Sequence, residues 1–312
     1  MNGPLYIKNF KCIADACRHS CCIGWEIDID EVTLAKYKAC DNERGTRICE
    51  GVSVGEDGEA CFRMCEDGRC PQLDGEGLCE IIKDLGEEYL SDICREHPRF
   101  YHECNGVREV GIGLCCEAAA ELILTSDEWG EIVPIGECDT AREDRDSSAS
   151  VHTPYQDGFN AMCERASLYR ILGDRCQGLD ERLGRLREIA GITEDEIRDK
   201  ITSVLPALEY LDGDYESLLT RSLRLSRSPF FDEYSERALA YFIFRYVSPA
   251  ENREDMKSRL RLSLALEQML ACVLNMPTII DKYGAFECAR MVSEEIEYNE
   301  DNIDILRFAL DN

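Results

Sequence analysis

The sequence predicts a mainly α-helical protein: a cysteine-rich, metal-organised N-terminal region of short helices and loops, followed by a C-terminal helical bundle. Three observations carry this. Of the 19 cysteines, 14 lie at or before Cys116. Beyond Phe159 the apolar residues recur at helical spacing, and nowhere does a strand-helix-strand alternation or a sequence repeat appear. Residues 1–135 are read as the cysteine-rich domain, 136–158 as a linker or long loop, and 159–312 as the helical domain.

In the first region, "WEIDID" alternates like a short strand. Short helices are expected through "TLAKYKAC", "LCEIIKDLGEEYLSDICREH" and "CCEAAAELIL", joined by glycine-rich and acidic loops such as "EGVSVGEDGEA". Irregular connections of this kind suit a fold in which coordination bonds replace missing secondary structure. The stretch from Gly136 to Gly158 is polar, charged and nearly free of large apolar side chains, as a linker would be.

The helical half is easier to read. "FNAMCERASLYRILGD" sets Phe159, Met162, Ala166, Tyr169 and Leu172 on one face and stops at Gly173. Thr193 with Glu196 forms a capping box ahead of Ile197, Ile201, Val204 and Leu205. "YSERALAYFIFRYV" is apolar nearly all round, a buried helix by pattern, with a strand left open by its aromatic and β-branched content. "SRLRLSLALEQMLACVLNM" and "FECARMVSEEIEY" complete the bundle.

A chain of 312 residues can bury a core without disulfides, so its cysteines need another explanation. No apolar run near the start suits a signal peptide, and no stretch of about 18 apolar residues suits a membrane span. A cytoplasmic protein is expected, with no membrane partner. Reduced thiols in that compartment point to metal or redox chemistry. The formal net charge of -28 argues against a nucleic-acid partner and favours a lysine-bearing one, although a solvated acidic surface explains the charge first.

Cys17 and Cys21 stand four apart and would share a helix face, whereas Cys22 points elsewhere. Cys70, Cys79, Cys94 and Cys115 follow far along the chain, so any shared centre requires the fold to wrap around it. Four thiolates suit tetrahedral zinc or an iron–sulfur cluster. No pair has the C-x2-C spacing of zinc knuckles, and the C-x3-C-x2-C triplet of radical enzymes is missing. Cys61 and Cys65, again four apart, are additional candidates.

The ordered segments "FKCIADACRHSCCIGWEIDID", "GRCPQLDGEGLCEIIKDLGEEYLSDICREHPRF" and "LCCEAAAELIL" resemble the flagellin lysine-N-methylase family. The cysteine core of that family is related to putative zinc- or iron-chelating proteins with a C-x3-C-C cluster. "YSERALAYFIFRYVS" and "SEEIEYNEDNIDIL" are similar to the family's C-terminal helices. Where the family has tyrosine before the proline of its C-R-x-x-P-R segment this chain has His97, and where it has proline after the last cysteine this chain has Cys116. The resemblance implies methyl transfer from S-adenosylmethionine to lysines of flagellin, with a four-iron, four-sulfur (4Fe-4S) cluster, zinc being the alternative metal. The ligands it implies are drawn from Cys17, Cys21, Cys22, Cys70, Cys79, Cys94 and Cys115. Cys17 or Cys21 would join Cys70, Cys79 and Cys94.

Methylating a lysine requires a neutral amine, so a proton acceptor is needed. Asp30 is the candidate, and its other reading is an N-cap ahead of "EVTLAKY". Trp25 reads as core first and as a stacking platform second. His19 and His97 flank expected ligands and could coordinate or hydrogen-bond. Arg95 and Arg99 could bind a carboxylate or form structural ion pairs. Gly106, Gly111 and Gly113 lack the strand-turn-helix setting of a nucleotide loop, so the cofactor site is not legible. The rival function is a non-enzymatic zinc- or iron-binding protein using the same cysteines.

Overall fold

A computed structural model describes the chain apart from Trp25, Glu56, Asp57 and residues 137–158; of Asp15 it describes the backbone alone. The expected linker, except Gly136, and the readings of Trp25 and Cys138 lie outside the described residues. The fold is mainly α, as the sequence predicts, with few and short strands. These are β1 (Asn2–Pro4), β2 (Asp28–Ile29), β3 (Val52–Val54), β4 (Ala60–Phe62), β5 (Arg99–Cys104), β6 (Val107–Ile112) and β7 (Ile132–Pro134).

The chain divides into two compact units. One comprises Met1–Phe10 with Phe100–Asn312, the other Lys11–Arg99.

In the larger unit, helix Arg253–Leu274 is the central element, buried along most of its length. It packs against helices Asp232–Phe242, Leu179–Ala190, Glu194–Val204, Tyr215–Ser222 and Glu300–Asp311. The capping box of Thr193 and Glu196 forms: the Glu196 carboxylate accepts the Thr193 N–H at 2.7 Å, and the Glu196 N–H donates to the Thr193 hydroxyl at 3.3 Å. Gly173 ends helix Ala161–Leu172 at its C-cap. "YSERALAYFIFRYV" is the buried helix rather than a strand, but its last turn, Ile243–Val247, widens into π geometry. The same happens at Ser293–Glu297, after helix Ala285–Val292. Such widenings insert one residue into the turn and re-aim side chains, often where a site is built.

The unit also holds a four-stranded sheet in the order β5-β6-β1-β7. β1 runs parallel to β6 and antiparallel to β7, with Gly3 opposite Val133. β5 and β6 are joined at Asn105-Gly106, both in the left-handed region at φ 53° and 75°. That is the conformation an Asn-Gly hairpin turn demands. Gly111 serves packing: a Cβ there would stand 2.1 Å from the Phe100 ring. It is where the tip of an aromatic ring meets a bare backbone, not a nucleotide loop.

The smaller unit has a thin core. Among the described residues eight are buried together: Ile27, Ile29, Tyr37, Ile48, Ala60, Phe62, Cys70 and Ile81. Around them β2, β4 and β3 form a three-stranded antiparallel sheet. "LCEIIKDLGEEYLSDICREH" is broken into three short pieces, Glu80–Leu85, Glu87–Tyr89 and Asp92–Glu96. Gly86, at φ 100°, makes the first break. Short helices with so little apolar area beneath them bury too little to be stable by the hydrophobic effect alone.

Candidate metal centre and buried polar sites

In the smaller unit the backbone itself gathers the thiol segments. The Cys70 N–H donates to the Cys22 carbonyl at 2.8 Å, and Ile23 bridges to Arg69, so the first cysteine segment lies along the second. Leu73 bridges to Cys79, and the Glu80 N–H donates to the Gln72 carbonyl at 2.8 Å. These bonds fold the Cys70–Cys79 loop back on itself. Cys79 then occupies the N-cap of helix Glu80–Leu85, where the N–H groups of Ile81 and Ile82 face its sulfur.

The helix that carries Cys94 is held by Asp30. One carboxylate oxygen of Asp30 caps helix Glu31–Ala39 by accepting the Thr33 N–H at 2.9 Å. The other accepts the Asp92 N–H at 3.0 Å, at the start of helix Asp92–Glu96. Thus a residue considered as a proton acceptor ties two helix starts together. Asp30→Ala is expected to cost about 2 kcal/mol, roughly one for each lost cap. Asp30→Asn keeps one acceptor and should lose about half as much by urea unfolding.

Four thiols lie near enough for their charges to couple. Cys94 feels the charge of Cys79 and of Cys21, Cys79 feels Cys21, and Cys70 feels Cys94, Cys79 and Cys65. Burial pushes Cys70 up to about 12 and Cys94 up to about 11, and it raises Cys79 as well, against the pull of the Ile82 and Ile81 N–H groups. Cys21, an exposed residue, is raised first by its hydrogen bond with Cys22. Tyr37 sits among them, its hydroxyl donating to the Tyr89 carbonyl at 2.7 Å; burial, then Cys94 and Cys79, raise it. Without a cation these are neutral thiols. Among the described residues no three His, Cys, Asp or Glu side chains stand in coordinating geometry.

The other expected ligands are placed as follows. Cys17 follows the short turn Ala14–Ala16, its N–H donating to the Ala14 carbonyl at 3.1 Å. Cys22 is half-buried against the small core. Cys61 lies in β4 opposite Asp28 and Ser53. His97 is pushed down to about 4 by burial and is neutral at pH 7. Arg95 donates to Asp92 at 2.9 Å and to the Leu90 carbonyl, the structural ion-pair reading.

Cys115 belongs to the larger unit, where burial raises its thiol against a hydrogen bond from Tyr298. It borders a buried polar cluster that sequence reasoning missed. Glu297, on one π turn, accepts from the hydroxyls of Tyr241 at 3.1 Å and Tyr246 at 3.0 Å. Arg245, on the other, donates to the Tyr241 oxygen at 3.0 Å and lies over the rings of Phe100, at 4.6 Å, and Tyr298, at 5.4 Å. Beside it, fully buried Glu109 accepts two bonds from Arg165, at 2.5 and 2.8 Å, and lies 3.0 Å from His102 Nε2. Burial raises the Glu109 carboxyl, but the bonds from Arg165 and His102 outweigh it and hold the group below its ordinary value. No sequence signal marked these charges as buried.

Comparison with known proteins gives one consistent relation. The chain is 30% identical over 131 residues to proteins named lysine-N-methylase from Salmonella choleraesuis and Salmonella typhimurium. It is 29% identical, also over 131 residues, to a flagellar biosynthetic protein FliU from Salmonella muenchen. Each match covers 40% of this chain; it spans 32% of the two lysine-N-methylases and 77% of the FliU protein. No family model and no solved structure matches. The relation to the lysine-N-methylases is therefore a distant one at the level of the family. No single helix among the described residues is long and apolar enough to cross a membrane.

Proposed function

We propose that the protein is an S-adenosylmethionine-dependent protein-lysine N-methyltransferase, acting on flagellin or a similar protein in the cytoplasm. The observation that carries this is the 30% identity over 131 residues to lysine-N-methylases. The electrostatic coupling among Cys21, Cys70, Cys79 and Cys94 supports the metal part of the reading.

The donor set fits a soft metal centre. It consists of sulfur alone, and hydrogen bonds join the backbone segments of Cys21, Cys70 and Cys79. Cys21, Cys70, Cys79 and Cys94 would hold a 4Fe-4S cluster or, as the alternative, zinc. Binding requires the thiolates, so loading the site releases the protons that burial keeps on Cys70 and Cys94 at neutral pH. The thin core of the unit gives the metal a structural task as well.

The methyl donor, when bound, supplies a sulfonium carbon open to attack. The lysine nitrogen forms a bond to that carbon as the carbon–sulfur bond breaks, and the proton leaves the nitrogen for a base or for water. What the chain contributes is desolvation of the ammonium and recognition of a basic substrate. A net charge of -28 lowers the energy of an approaching lysine-rich surface.

The test is purification without oxygen, followed by iron, sulfide and zinc analysis and incubation with flagellin and S-adenosylmethionine. Iron and sulfide together with methylated lysine support the reading. A colourless zinc protein that adds no methyl mass favours the rival, a non-enzymatic metal-binding protein.

A further inference from the structure

Two thiols of the smaller unit stand apart from the expected ligands. Cys40 is the C-cap of helix Glu31–Ala39, and Cys49 lies in the last turn of helix Glu43–Glu50. Both are free and half-buried, and both line one cleft of about 580 Å3. The turn between the helices fixes their relation. The Asn42 side chain caps the second helix by accepting the Gly45 N–H at 2.9 Å, while the Asn42 N–H donates to the Cys40 carbonyl at 2.9 Å. Gly45 is thereby set directly against Cys40: a Cβ there would stand 2.6 Å from the Cys40 Cβ. Cys49 follows Gly45 by four residues, one turn along the same helix face, where Cβ positions are about 5–6 Å apart. Cys40 and Cys49 are therefore neighbours along the cleft, separated by about one helical turn.

That separation decides what the pair can do. A disulfide needs Cβ atoms about 3.5–4.5 Å apart, closer than a helical turn sets them. Two metal–sulfur bonds of about 2.3 Å each reach farther, because the ion sits between the sulfurs. The donor set is selective too. Among the described residues no three His, Cys, Asp or Glu side chains stand in coordinating geometry, so the four ligands of tetrahedral zinc are not assembled at this cleft. A soft monovalent ion is satisfied by two thiolates, and copper(I) is the biological ion of that kind. Asp41 and Glu50, each next in sequence to one of the thiols, line the cleft against Lys38 alone, so the charge around the sulfurs favours a cation.

We infer that Cys40 and Cys49 bind one copper(I) ion between the two helices. Each thiol gives its proton to water as its sulfur–copper bond forms, and no electron is transferred. The ion ties the end of one helix to the end of the next, in a unit whose own core is thin. Tyr37, which forms part of the cleft wall, also lies among the thiols of the proposed metal centre. The copper site is independent of the methyl-transfer reading and stands or falls without it.

The full chain, purified without oxygen and with its own metal in place, is mixed with one equivalent of copper(I) held by bicinchoninate. Its thiols are then alkylated and mapped by peptide mass spectrometry. Cys40 and Cys49 are expected to be protected together, while Cys163, exposed on the larger unit, reacts. Alkylation of both Cys40 and Cys49 while copper(I) stays on the protein overturns the inference, as does a parent that takes no copper(I) from the chelator. Cys40→Ser and Cys49→Ser should each lose about one bound copper(I) per chain, and the double variant no more than either, since a two-coordinate ion needs both sulfurs. X-ray absorption should show two sulfur neighbours on the copper. Three or more would assign the ion to other cysteines and overturn the inference. Should a variant misfold by circular dichroism, the alkylation map and absorption spectrum of the parent decide alone.

Discussion

Arg165→Met is expected to destabilise the protein by about 3–5 kcal/mol, because it strands Glu109 in the interior without its partner. Glu109 is fully buried and accepts both of its short bonds from that guanidinium. Arg165 also donates to the Ser248 hydroxyl at 2.6 Å, so its loss frees a second buried group. The double variant Glu109→Gln with Arg165→Met removes both charges and should recover most of the loss. The pH dependence has a definite sign. The carboxyl is held below 4.5, its ordinary value, so the stability it contributes is full above that pH and fades as pH falls through the lower, folded-state value. In Arg165→Met the stranded carboxylate is relieved by protonation instead. The gap between variant and parent should therefore be widest near neutrality and shrink in acid, as read by urea unfolding at a series of pH values.

Cys79→Ala and Cys94→Ala should each empty the proposed metal centre and unfold much of Lys11–Arg99. Structural zinc sites contribute on the order of 10 kcal/mol to the domains built on them, far more than eight buried side chains can spare. Metal content by plasma emission and protease resistance of the smaller unit report the two effects separately. Cys163→Ala is the control, since this thiol is exposed on helix Ala161–Leu172. Retention of full metal by both Cys79→Ala and Cys94→Ala would move the centre to other cysteines.

Local signals made the helical half legible. The capping box at Thr193, the stop at Gly173 and the apolar faces of "YSERALAYFIFRYV" and "SRLRLSLALEQMLACVLNM" depend on neighbours in sequence, and the structure places helices there. The sheet was harder. Asn105-Gly106 is a strong hairpin signal, and it marks the turn between β5 and β6. β1 and β7 are three residues each and pair across most of the N-terminal half, a non-local choice that no window of sequence contains.

The site divides in the same way. The spacing of Cys17 and Cys21 suggested a shared face, yet backbone bonds from Cys22 to Cys70 and from Leu73 to Cys79 do the gathering, and these are tertiary. The buried carboxylates Glu109 and Glu297 and the half-buried Arg245 look in sequence like any solvated acid or base. Their burial follows from packing and from two π turns that no 3.6-residue period announces.

The most direct measurement is mass spectrometry of flagellin after incubation with S-adenosylmethionine and the metal-loaded protein, run beside Cys79→Ala. The account predicts methyl groups on lysine side-chain nitrogens with the parent protein and none with the variant. Unmodified flagellin lysines with a fully metal-loaded parent, or equal methylation by the metal-free variant, would contradict it.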